Sequence, residues 1–192
     1  MPFLVLFLPV GLAAQRPLLD LSAGATDHAW RVSLSGAGTV ALGSLTVGTG
    51  VRLTRYGGDA ARYRTHEAPP AGASSRLPLA PGVWSLNLVV LGDLHLAGPI
   101  GAGANLDVAG IAWGRSQRAG TVRLAPARWS LFRYGDNDRG SLTSEFFVRA
   151  TTRRLAWRAG VSHYVTGYRV AGGGARYLRF DTVPFVAVTW RV

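Results

Sequence analysis

At 192 residues, with 25 Gly, 10 Pro and 48% hydrophobic content, the chain suits one domain and is too apolar for a disordered polymer. It has no cysteine, which excludes a disulfide frame, thiolate chemistry and zinc–thiolate sites. The net charge of +11 comes from 21 basic residues, all of them arginine. They are dispersed, with no basic helix, RNA-binding aromatic motif or zinc-finger spacing, so nucleic acid is not an expected partner.

The first element is a leader. Phe3 to Leu8 is almost wholly apolar, and Gly11-Leu12-Ala13 offers the small residues that a signal peptidase needs, although no Lys or Arg precedes the run. Residues 1–14 are therefore expected to be a signal peptide and 15–192 the mature domain. The apolar run is too short for a helix spanning about 20 residues, and no other segment is long and apolar enough. An exported chain of this kind either stays soluble or enters a membrane as strands, because only helices and closed barrels satisfy the backbone in lipid.

The rest alternates with a period of two. Strand one, Leu18 to Ala25, sets Leu19, Leu21 and Ala23 against Asp20, Ser22 and Gly24, and ends in a turn at Asp27 and His28. In strand two, Trp30 to Leu42, Trp30, Val32 and Leu34 oppose Arg31, Ser33 and Ser35. A tight turn at Gly43 leads to strand three, where Val51 and Leu53 oppose Arg52 and Thr54. A Gly-, Ala-, Pro- and Arg-rich loop, roughly Gly57 to Gly82, follows. Strand four then sets Trp84, Leu86, Leu88, Val90, Leu94 and Leu96 against Ser85, Asn87, Asp93 and His95. After a turn at Gly98 and Pro99, strand five alternates Ala102, Ala104, Leu106 and Val108 with Asn105, Asp107 and Ala109.

Arg115 to Gly140 reads as a second long loop with a short strand at Trp129 to Tyr134. Strand six, Leu142 to Ala150, carries Phe146 and Val148 opposite Thr143, Glu145 and Arg149. Strand seven sets Leu155, Trp157, Ala159 and Val161 against Arg158, Ser162 and Tyr164, and strand eight runs from Leu178 to the terminus beyond a Gly172 to Gly174 tip. Long connections at the Asp27, Gly57, Arg115 and Ala171 regions share one end, with tight turns and both termini at the other.

One face is thus greasy throughout, while the other holds Asp20, Asp93, Asp107, Glu145 and Asp181 with Arg31, Arg52, Arg149, Arg158 and Arg191. Five acids face five arginines, and the remaining acids fall in turns and loops. An ordinary soluble core does not tolerate such groups unpaired. The pattern predicts an all-β, antiparallel up-and-down transmembrane β-barrel of about eight strands, with an interior polar network that also includes His95 and Asn105. An eight-stranded lumen is wide enough only for its own side chains. Trp30, Tyr56, Trp84, Trp113, Trp157, Tyr168 and Trp190 near strand ends are expected to form interfacial girdles.

The closing series Val186, Val188, Trp190 and Val192 resembles the C-terminal assembly signal of outer-membrane barrels, with Val192 standing where the family usually has Phe. Over Leu18 to Val192 the chain is similar to the small eight-stranded barrels of the OmpA and OmpX type. That resemblance implies outer-membrane location, contact with outer-membrane lipid and lipopolysaccharide, handling by the barrel-assembly machinery through Val188, Trp190 and Val192, and a monomer. Loop arginines Arg62, Arg64, Arg118 and Arg128 are the anion-binding candidates, suited to phosphates by bidentate guanidinium contacts. The expected role is structural or surface interaction. The alternatives are a narrow porin-like channel and a soluble exported lipocalin-like or β-sandwich binding protein. The family also includes lipid A-modifying enzymes, but Ser162 and His163 are adjacent and so lie on opposite strand faces, unfit to act together. No cofactor, metal or catalytic residue is expected. An imidazole site at His95 with Asp93 and Asp107 lacks a third ligand beyond Asn105.

Overall fold

The computed structural model describes residues 16–133, 140–171 and 174–191, so the expected signal peptide, the acids Asp136 and Asp138 and the terminal Val192 lie outside the described residues. Thirteen strands form one antiparallel sheet, and eight of them close on themselves. These eight are β1 (Arg16–Ala25), β2 (Ala29–Leu42), β3 (Leu45–Gly58), β6 (Gly82–Ala97), β7 (Ile100–Gly114), β11 (Leu142–Thr151), β12 (Leu155–Val170) and β13 (Arg176–Arg191). Closure is made where β13 pairs with β1, from Leu18 opposite Arg191 to Gly24 opposite Phe185. The predicted eight-stranded meander is the observed barrel. A two-sheet sandwich is excluded by the single closed ladder.

The tight turns follow local chemistry: Gly43 and Gly98 adopt positive φ (64° and 53°), which glycine reaches without a Cβ clash. The connection at Asp27 is short, not long, with the Ala29 amide donating to Thr26 Oγ1. At the Asp27 end, opposite Gly43 and Gly98, the two long loops are not structureless. Residues 57–82 contain the hairpin β4 (Ala61–Arg64) and β5 (Arg76–Leu79), and 115–140 contain β8 (Gln117–Ala119), β9 (Val122–Pro126) and β10 (Trp129–Leu131). β9 pairs with the tip of β12, β4 touches β13 at Leu178, and β10 pairs with β7.

One strand face differs from expectation. Leu88 pairs with Ala109 and Val89 with Asp107, so Val108 is an extra residue, a bulge in β7. Beyond it the faces exchange: Ala109, Ile111 and Trp113 point outward and Ala112 inward, contrary to the strict alternation that put Ala109 inside. Glycines on the inner wall of β7 make room for bulk. A Cβ on Gly103 would sit 2.7 Å from the Phe147 ring and one on Gly101 2.8 Å from Arg149 Nε.

The barrel is inside out relative to a water-soluble core. Arg31, Arg52, Asp107 and Glu145 are at most 1% exposed, while Leu88, Val148, Phe180 and Val186 are 47%, 60%, 62% and 64% exposed. A lipocalin-like carrier has the reverse arrangement, with its apolar residues inward. The exposed tryptophans fall into two groups. Trp30, Trp84, Trp113 and Trp129 lie toward the long-loop end, and Trp157 and Trp190 toward the tight turns. Tyr56 and Tyr168 leave the expected girdle, because both are fully buried inside.

Candidate functional site

Inward residues of β1, β2, β3, β7, β11 and β12 converge on one carboxylate. Glu145 accepts from Arg31 Nη2 at 2.7 Å on one oxygen, and from Arg52 Nη2 at 3.0 Å and Asn105 Nδ2 at 2.8 Å on the other. Arg158 Nη1 stands 3.6 Å from that second oxygen. Arg52 also faces Asp107 at 3.2 Å, and Arg158 reaches Asp20 at 2.6 Å. Three guanidinium groups therefore balance Glu145, Asp107 and Asp20, leaving the mid-lumen neutral. Further hydrogen bonds brace two of the carboxylates. Asp107 accepts from Asn87 Nδ2 at 2.8 Å and the Thr143 amide at 2.9 Å, and Asp20 from the Thr189 hydroxyl at 2.7 Å. Aromatic faces complete the shell, with Arg158 4.4 Å from the Phe147 centroid and Arg31 4.9 Å from that of Phe185.

Two further pairs flank this centre. Toward the tight turns Arg149 bonds Asp93 at 2.5 Å and also donates to Thr151 Oγ1. Toward the loops Arg179 bonds Asp181 at 2.6 Å, and the Tyr56 hydroxyl donates to the same carboxylate. Arg179 was absent from the expected network. It stands two residues from Asp181, on the same face. The side chain of Arg191 lies outside the description. His95 is a second correction: it is exposed past the rim, and Asp107 is paired far along β6 opposite Val89, so imidazole and carboxylate do not meet. Among the described residues no three His, Cys, Asp or Glu gather as metal ligands.

The loop end is closed by an apolar layer that the sequence pattern did not disclose. Tyr63, Leu77, Leu79, Leu124, Tyr168 and Tyr177 are buried together there, with Tyr63 edge-on to Tyr168 at 5.4 Å. Tyr56 and Tyr164 stack at 4.2 Å in a separate small cluster. At the tight-turn end a cavity of about 110 Å³ is lined by Leu18, Asp20, Leu91, Asp93, Phe147 and Arg149 among others. The cavity reaches inward to Asn105 and Arg158 at the edge of the ion network.

The loop arginines do not form one pocket. Arg62 and Arg64 are exposed on β4 on either side of buried Tyr63, Arg118 is exposed on β8, and Arg128 on the β9–β10 connection. Val188 and Trp190 lie on the outward face of β13, with Trp190 opposite Leu19 and Leu155. On the same outer wall, cross-strand pairing brings together Ser144, His163 and Thr182, a row invisible to single-strand reading. His163 Nδ1 and Thr182 Oγ1 are 2.9 Å apart, and the ring stacks on Phe180 at 5.3 Å. No carboxylate orients that imidazole among the described residues, so the row lacks the third member of a triad.

The long β4–β5 connection is tied to β13 by Glu67, which accepts from the Arg176 backbone at 3.0 Å and from its Nε at 2.8 Å. Burial opposes the Glu67 charge, but the Arg176 hydrogen bonds and the charges of Arg176 and Arg169 outweigh it, holding the carboxyl below its ordinary value. With the folded value depressed, the tie is complete above the unfolded value of about 4.3. It loosens as pH falls through the folded value. Amides of residues 65–75 should therefore exchange faster at pH 3 than at pH 6 after correction for intrinsic rates, and Glu67→Gln should abolish the difference.

No family model and no curated protein matches the chain. Among solved structures, Neisserial surface protein A is similar at 12% identity and a TM-score of 0.49, with 93% of this chain and 96% of that one covered. A major outer membrane protein from Thermus thermophilus is similar at 11% identity and a TM-score of 0.48, covering 93% and 100%. The beta domain of the Bordetella autotransporter BrkA aligns at 10% identity with a TM-score of 0.26, covering 93% and 100%. At such values the assignment as a closed eight-stranded barrel rests on this chain's own strand ladder.

Proposed function

We propose that this chain is an outer-membrane β-barrel that anchors passively in lipid and offers its Arg-rich loop end as an interaction surface for phosphate-bearing neighbours such as lipopolysaccharide. The inversion of the barrel carries the reading. Fully buried ion pairs lie inside a continuous exposed belt of Leu, Val, Phe and Trp. Soluble monomers rarely expose contiguous apolar patches beyond a few hundred Å². In hydrocarbon the same belt is the favoured state, and the closed ladder leaves no unsatisfied strand edge. β6 runs eleven residues from Trp84 to Leu94, matching the roughly 9–11 that a tilted strand needs to cross a bilayer core.

Export through residues 1–14, recognition of Val188, Trp190 and Val192 by the assembly machinery, and a monomeric state belong to the same reading. An ion-paired mid-lumen and the apolar layer above it favour a rigid anchor over a conducting path. The test is fractionation of tagged full-length protein. It should appear in the outer-membrane fraction and change its gel mobility on boiling; recovery in the periplasmic extract without a mobility change would refute the proposal.

A further inference from the structure

The outer wall carries one cation that the anchor role leaves unexplained. Arg55 lies on β3 between the buried Thr54 and Tyr56, on the outward register shared with Val51 and Leu53. Its guanidinium stands 5.2 Å over the Trp84 ring. Trp84 is paired with Arg55 on one side and with Trp113 on the other. Above Arg55, at the next outward position of β3, Gly57 is covered by the Trp30 indole: a Cβ there would meet that ring at 2.7 Å and its Nε1 at 3.0 Å. Two residues past Trp113, Arg115 is exposed at the same rim, its amide bonded to Gly82. Arg55 thus stands over one indole, with a second indole covering the next outward position of its strand, a third on the far side of Trp84, and Arg115 exposed at the rim two strands away.

Neither Arg55 nor Arg115 forms an ion pair among the described residues. A guanidinium does not shed its proton, so on an apolar wall an anion beside it is favoured. Directly below, Leu53, Leu86 and Ile111 continue the apolar strip toward the barrel waist. The occupant that fits is an amphiphile with an anionic head at Arg55 and acyl chains along that strip. Its charge can be narrowed further. Two arginines match a phosphate monoester, which carries about −1.5 to −2 at neutral pH, better than a singly charged diester. Its three free oxygens also accept the fork of guanidinium donors and an indole N–H together.

We infer that Arg55, with Trp30, Trp84 and Arg115, is a binding site for the phosphomonoester head of a membrane glycolipid of the lipid A class. The site rests on the outer-membrane reading but specifies a place none of the loop arginines marks. It also assigns a purpose to Gly57, whose missing side chain leaves room for the Trp30 indole at the position above Arg55.

The test is titration of full-length, refolded barrel in neutral detergent with three lipids: lipid A bearing its phosphates, the same lipid enzymatically dephosphorylated, and phosphatidylglycerol. The phosphorylated lipid should bind tightest. Dephosphorylation, or Arg55→Gln, should weaken binding about tenfold or more, the scale of one charge-assisted contact. Arg153→Gln, exposed in the β11–β12 turn at the opposite end of the barrel, should leave it unchanged. Equal binding of the dephosphorylated lipid, equal binding of phosphatidylglycerol, or an Arg55→Gln variant as tight as the wild type would each overturn the site. Gel mobility before and after boiling separates the two levels of failure. A variant that keeps the heat-dependent shift but binds normally defeats the site alone, whereas a wild-type chain recovered as a soluble protein defeats the membrane reading beneath it.

Discussion

Replacing Glu145 by Gln is expected to lower folding stability by about 3–5 kcal/mol, the range for breaking a buried ion pair from one side. The isostere keeps the volume of the side chain, so the loss isolates charge from packing. Arg31 and Arg52 bond Glu145 directly, and Arg158 stands at 3.6 Å. After the substitution only Asp107 and Asp20 remain to face those three cations, and a neutral cluster becomes one with a net positive charge. Urea unfolding in detergent should show a lower midpoint with an unchanged slope, since the surface exposed on unfolding is the same. Asp107→Asn should cost less, because Asp107 faces the Arg52 guanidinium at 3.2 Å whereas Glu145 faces those of Arg31, Arg52 and Arg158.

The coupling can be measured as well as the loss. Arg31 Nη2 bonds one Glu145 oxygen directly at 2.7 Å, and residues in such contact show interaction energies of about 0.5–3 kcal/mol. Arg31→Met combined with Glu145→Gln should therefore cost less than the sum of the two single changes. Strict additivity, or an unfolding midpoint for Glu145→Gln equal to the wild type, would mean that the lumen is wet enough to screen the charges and that the network does not rigidify the barrel.

Much of this centre was legible from alternation alone. In a closed sheet the period of two assigns every side chain to lumen or wall, so Asp20, Arg31, Arg52, Asn105, Asp107, Glu145 and Arg158 could be placed inside without knowing their partners. Which charge meets which could not be read, because the pairs join residues over a hundred positions apart, such as Arg31 with Glu145. Alternation failed where its premise failed. At Val108 a bulge adds a residue and exchanges the faces of Ala109 and Ala112, and at His95 the strand has passed the rim, so an inward register no longer means burial.

Arg179 was missed although its two-residue spacing from Asp181 was in plain view. The apolar layer at the loop end left no periodic trace. Tyr63, Leu77, Leu79 and Leu124 come from strands four or five residues long, set among Gly, Pro and Arg, and acquire a common core only when β9 docks on β12 and β4 on β13. Cross-strand neighbours such as His163 with Thr182, or Arg55 with Trp84, need the register itself.

Placing an arginine on the outer wall decides between lipid and water as the solvent of that wall. Leu88 points outward at mid-strand, 47% exposed and remote from the ion network. In a bilayer, Leu88→Arg near the midplane should cost about 2–4 kcal/mol. Were the wall in contact with water, an exposed Leu→Arg change should fall within roughly ±0.5 kcal/mol. Depth supplies the control: Leu96, outward beside the Gly98 turn, should tolerate arginine at about 0–1 kcal/mol, as positions near the interface do. The measurement is reversible unfolding of the two variants and the wild type in lipid vesicles. A large loss at Leu88 with a small one at Leu96 is a gradient that only a hydrocarbon slab produces, since in water both residues are equally surface positions. Matching small losses at the two sites would place the belt in an aqueous or protein-covered setting, and the proposed anchor would fall with it.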